Sequence, residues 1–172
     1  MTTSEKNPLR AGSRVSLGSA ILAGLIGSFA NTVAIRLAQA TPIPPGTGGF
    51  AKLVLATLAG ALDRLGLPWR VPSNFGPFGQ EVFHTGVGVS MALLYALVFY
   101  RRLVGPGWLR GLIFCQIPWL IQAFIVLPWM GSGMLGLRLS PWTPATSFAL
   151  NAVFGLLLGL IYRPKTINAT LA

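Results

Sequence analysis

Four stretches of this chain are too long and too apolar for the remaining residues to cover in water: about Val15 to Ala38, Glu81 to Tyr100, Trp108 to Met130 and Ala145 to Tyr162. Roughly 20 predominantly apolar residues in a helix cross about 30 Å of hydrocarbon. Within hydrocarbon the backbone must satisfy its own hydrogen bonds, and a helix does so inside one segment. The sequence therefore predicts an all-α fold, an integral membrane bundle of four transmembrane helices. Short segments holding most of the Arg and Lys separate the spans. The chain is 53% hydrophobic and 9% charged, whereas soluble domains carry about 25% charged residues.

The connections divide the chain further. Residues 1-14 form a basic tail, 15-162 the membrane domain and 163-172 a second tail. The first span is too long for the core of a signal peptide, so it is expected to be retained. Thr41 to Gly49, TPIPPGTGG, cannot be helix, because its prolines lack donors and fix φ. Residues 50-66 regain helical character but carry Lys52, Asp63 and Arg64, which predicts one interfacial helix in the first outer loop with Trp69 near the headgroups. A fifth span is the alternative. Pro118 lies inside the third span and predicts a kink or a broken hydrogen-bond ladder near it; Pro128 is expected to end that span.

A formal charge of +10 in a soluble protein would point to nucleic acid. Here the basic residues sit between apolar spans instead of forming one face, so they read as topology signals and contacts with membrane lipids, and no nucleic acid partner is expected. Lys6, Arg10, Arg14, Arg101, Arg102, Arg110, Arg163 and Lys165 fall on one side, and outnumber Arg36, Lys52, Arg64, Arg70 and Arg138 on the other. The positive-inside rule then predicts that both termini are cytoplasmic.

Small residues recur every fourth position in the first span (Ser16, Ala20, Gly24, Ser28, Thr32) and in the last (Ser147, Asn151, Gly155, Gly159). Such faces let helices approach closely. Gly24, Ser28, Asn151, Gly155 and Gly159 are thus candidate packing positions, within the chain or in a homo-oligomer or larger membrane complex.

Among polar residues at membrane depth, Glu81 and His84 stand out, since a spacing of three puts both on one helix face. Intramembrane ionisable groups tend to face the bundle interior and mark proton or ion paths, and Arg36 lies near the same end of its span. The plainer reading makes Glu81 a helix N-terminal acid favoured by the dipole, His84 an interfacial side chain and Arg36 a snorkelling cation. Asn31, Gln116, Gln122 and Asn151 read as interhelical glue or as ligand groups. Cys115 is the only cysteine and His84 the only histidine. A haem held by two histidines and the usual zinc or di-iron sets therefore lack ligands, and no cofactor or metal is expected. No P-loop, dinucleotide fingerprint or nucleophile elbow is present. Ser132 or Ser147 with His84 has no spacing to recommend it as a hydrolase.

A glycine-bearing first span is followed by Pro42 to Pro45. Trp108 to Gly111 opens the third span, Pro128 to Gly131 closes it, and Phe154 and Gly155 lie in the last. In these motifs the chain resembles the YagU family of small bacterial inner-membrane proteins. The resemblance implies an inner-membrane location and a contribution to survival in acid, with no reaction or cofactor. It also implies histidines in the third and fourth spans, where this chain has Gln122 and Asn151. The expected function is a non-enzymatic multi-pass membrane protein, structural or acid- and stress-related. The alternatives are a small transporter or proton-conducting protein using Glu81, His84 and Arg36, and a membrane anchor subunit of a redox complex, with lipid or quinone against Trp119 and Pro118.

Overall fold

The computed structural model describes residues 13–43, 45–46 and 49–166; Lys6, Arg10, most of both tails and part of the 41–49 connection lie outside them. Four helices are long and apolar enough to cross a membrane: α1 (Leu17–Gln39), α3 (Pro77–Phe99), α4 (Gly107–Trp129) and α5 (Thr143–Ile161). A shorter helix, α2 (Gly49–Arg64), follows α1. At 16 residues and about 1.5 Å per residue it falls short of the hydrocarbon thickness. The chain is a membrane protein by this architecture. Large apolar side chains such as Leu22, Phe29, Leu97 and Ile125 point outward from the spans and are exposed, a surface that hydrocarbon solvates and water does not.

The helix boundaries follow local chemistry. The Ser16 hydroxyl accepts from Ser19 N–H and caps α1, filling one of the orphan donors of a helix start. Prolines open α3 and α5, as Pro77 and Pro144, where a missing N–H costs nothing. The second span therefore starts one turn before the expected Glu81, which places Glu81 inside the helix and not at its N-terminus. The disruption expected at Pro118 takes the form of a wide turn just beyond it. Pro118 itself stays helical, and Gln122–Val126 is π-helical. The Leu127 N–H there donates to the Gln122 carbonyl. A second π turn, Tyr95–Phe99, ends α3. Pro128 lies inside the last turn of α4, and the 131–144 connection contains a 3-10 turn, Met134–Gly136.

Packing pairs α1 with α3 and with α5, and α4 with α5. Glycines set the closest approaches. A Cβ on Gly24 would meet the Val89 Cα at 2.8 Å, and one on Gly88 would collide with the Ser28 hydroxyl. One on Gly111 would collide with the Gly155 carbonyl, and one on Gly159 with the Gly107 carbonyl. Gly24, Ser28, Gly155 and Gly159 are all buried. The small-residue faces are thus engaged inside the chain.

α3 and α4 splay apart over most of their length and meet through the Tyr95–Phe99 turn. The rings of Tyr95 and Phe99 sit 5.3 Å and 5.1 Å from that of Phe114. Tyr100 and Tyr162 pack edge-on at 4.9 Å, with the Arg110 guanidinium over Tyr100. Burial pushes the Tyr162 phenol up. Ala20, Ala23, Ala92, Phe154 and Leu158 complete this core. It fills the half of the bundle nearer the termini, where Ser13 and Arg14 pair antiparallel with Thr166 and Lys165. The other half is not filled in this way.

Candidate functional site

In that second half, the gap between α3 and α4 is a cavity of about 340 Å³, backed by α1 and α5 and bordered by the start of α2. Its mouth lies among Arg36, Gln39 and Gln80, and its inner end among Met91, Pro118 and Leu150. From Gln80 to Met91 a helix rises about 16 Å, so the cavity ends near the middle of a bilayer of about 30 Å. The Gly24–Val89 and Gly88–Ser28 contacts close α1 on α3 beside it, and the aromatic core closes the bundle beyond it.

The structure brings the candidate ionisable residues together here. Arg36 Nη2 donates to Glu81 Oε1 at 2.7 Å, linking α1 to α3 across the mouth. The Thr32 hydroxyl, one turn before Arg36, donates to Glu81 Oε2 at 3.1 Å. Both carboxylate oxygens are therefore engaged by α1. The Glu81 carboxylate lies one turn inside α3 and lines the cavity, which corrects the plainer reading of a dipole-favoured terminal acid. Asp63, in α2, does not line the cavity. His84 lies one turn deeper on the same face, and its Nε2 is buried without a hydrogen-bond partner.

Three carboxamides lie deeper than Gln39 and Gln80 in the lining, and no spacing along the chain signals that they converge. Asn31, on α1, is 8% exposed and its Oδ1 has no partner. Buried polar atoms are nearly always satisfied, so two orphans on one cavity mark a place for polar groups from outside the protein. Gln122 begins the wide turn of α4 and donates from Nε2 to the Gly46 carbonyl at 2.9 Å. Gly46 adopts φ +63° beside Leu127 and Thr143, and this bond ties the 41–49 connection to α4. Asn151 donates from Nδ2 to the Ser147 carbonyl at 3.0 Å. It is half-buried and lines the cavity, so its place is the cavity wall and not the helix crossing formed by Gly155 and Gly159. Ser147 accepts from the Trp119 indole at 3.2 Å and donates to the Pro144 carbonyl. Trp119 is thereby fixed against α5 and packs edge-on with Phe148.

The remaining candidates sit elsewhere. Cys115 is fully buried at the α4–α5 crossing, its sulfur 2.6 Å from where a Cβ on Gly155 would lie. Ser132 is buried near the end of α4 and does not line the cavity. Among the described residues no group of three His, Cys, Asp or Glu side chains converges to hold a metal.

No family model, curated protein or solved structure matches this chain. Its function has to be argued from the cavity.

Proposed function

We propose that this chain is a small, non-enzymatic membrane transporter whose cavity between α3 and α4 is the solute-binding site. The observation that carries this reading is the pair of unpartnered buried atoms, Asn31 Oδ1 and His84 Nε2, on a cavity that reaches the bilayer interior from one face. A polar recess at that depth is costly unless it is used. With the spans ordered as they are, the mouth opens on the face opposite the termini. The positive-inside rule makes that the outer face, with both termini cytoplasmic, and the YagU resemblance supports a bacterial inner membrane. A role in acid survival, implied by the YagU resemblance, is compatible with an acid, an imidazole and a guanidinium at one mouth.

A self-associating structural component is favoured less, because the small-residue faces that would support it are spent on contacts within the chain. A redox anchor subunit is favoured less because the Trp119 indole N–H is already bonded to Ser147.

The test is the reactivity of Asn31→Cys in oriented liposomes toward small membrane-impermeant thiol reagents. A transporter exposes this position to the mouth-side face readily and to the opposite face slowly. Reactivity from the mouth side alone would make the protein a receptor. An inert cysteine on both sides would remove the site altogether.

A further inference from the structure

The geometry points to an uncharged polar solute as the ligand of this cavity, an inference that rests on the transporter reading above. Two features of the lining carry it: its hydrogen-bonding groups and its charge balance.

Carboxamides recur in the lining. Each has an NH₂ that can donate twice and an oxygen that can accept. Gln122 and Asn151 each spend one N–H on a backbone carbonyl, which leaves a second N–H and the oxygen. Asn31 adds an Oδ1 with no partner. Amides from α1, α4 and α5 therefore belong to one cavity wall, and a polar solute satisfies them by hydrogen bonding.

The cavity is also electroneutral. Arg36 and Glu81 are the charged side chains that line it, and they neutralise each other at 2.7 Å. A cation or an anion would enter without a free counter-charge, or would have to break this pair and strand one member of it. The first course leaves an unpaired charge at membrane depth, which the bilayer penalises, and the second gives up the ion pair at the mouth. An uncharged polar molecule meets neither penalty. Phe50, Phe83, Val87 and Met91 around the same space suit a compact apolar body attached to the polar group.

The experiment uses the untagged full chain in lipid nanodiscs with ¹⁵N-labelled histidine. His84 is the single histidine, so its imidazole signals report the cavity directly. Three probes of matched size are titrated: butyramide, butylammonium and butyrate. Butyramide is expected to shift the His84 signals saturably, and the two ions are expected to leave them unchanged over the same range. Asn31→Asp, which adds an uncompensated negative charge at nearly constant shape, is expected to swing the preference from butyramide to butylammonium by about tenfold. Asn151→Asp gives the same readout if the first variant does not fold. Saturable binding of either ion to the unmodified chain, as tight as butyramide, overturns the ligand class and leaves the cavity reading standing. No saturable shift from any probe overturns both.

Discussion

Arg36 and Glu81 are 45 positions apart in the chain and join at 2.7 Å across the mouth of the cavity. Their side chains are 64% and 40% exposed, so the pair acts as a latch between α1 and α3 more than as a source of stability. Exposed pairs contribute up to about 1 kcal/mol. A double-mutant cycle with Arg36→Ala and Glu81→Gln is expected to give a coupling energy of about 1 kcal/mol or less in unfolding measured in detergent. The same variants should speed thiol labelling of Asn31→Cys, because the two helices are released at the mouth. Unchanged labelling would remove the latch.

The α4–α5 crossing depends on glycine. A methyl on Gly111 falls on the Gly155 carbonyl and close to the Gly159 Cα, at 2.9 Å, and backbone cannot move aside without parting the helices. Gly111→Ala should destabilise the protein by about 1–3 kcal/mol, read from thermal unfolding in detergent. Gly60→Ala is the control, since nothing lies within 4 Å of a Cβ there. It should be neutral, or stabilising through helix propensity by up to about 1 kcal/mol.

Tyr95 buries its hydroxyl without a partner, a cost its ring contacts with Phe114, Tyr100 and Tyr162 offset. Tyr95→Phe keeps the rings and removes the stranded group, so it should leave stability unchanged or raise it by about 1 kcal/mol. A clear loss of stability would mean that the hydroxyl has a partner in the membrane-embedded protein.

Trp119 and Ser147 share one interhelical hydrogen bond, at 3.2 Å. Such bonds in membranes average about 0.6 kcal/mol in double-mutant cycles, and Ser147→Ala with Trp119→Phe should couple by about that amount.

Topology is open to a direct check. Ser73, between α2 and α3, and Val104, between α3 and α4, are both exposed and fall on opposite faces of the bundle. In intact cells Ser73→Cys should react with an impermeant thiol reagent, and Val104→Cys should react only after permeabilisation. The reverse pattern would place the termini outside and the cavity mouth in the cytoplasm.

The amino-acid sequence by itself determined the medium and the number of spans, because transfer into hydrocarbon is a local property of each stretch and needs no partner. It also put Glu81 and His84 on one face and the glycines of α1 and α5 in register, since helical periodicity is equally local. Where the start of α3 fell was less legible: the span was expected from Glu81, although proline in a first turn extends a helix by matching its φ, and α3 starts at Pro77. The wide turn at Gln122–Val126 was readable only as a disturbance near Pro118.

Only the tertiary structure decided which faces met. Arg36 could have snorkelled or found Asp63, and the small residues could have served another copy of the chain. Asn31, Gln122 and Asn151 had no spacing in common. Their convergence follows from the angle at which α3 and α4 diverge above the aromatic core, and that angle is set by all the close glycine contacts and ring packings together. Helix formation is fixed residue by residue, whereas helix rotation and crossing are collective, so the spans could be read along the chain and the cavity between them could not.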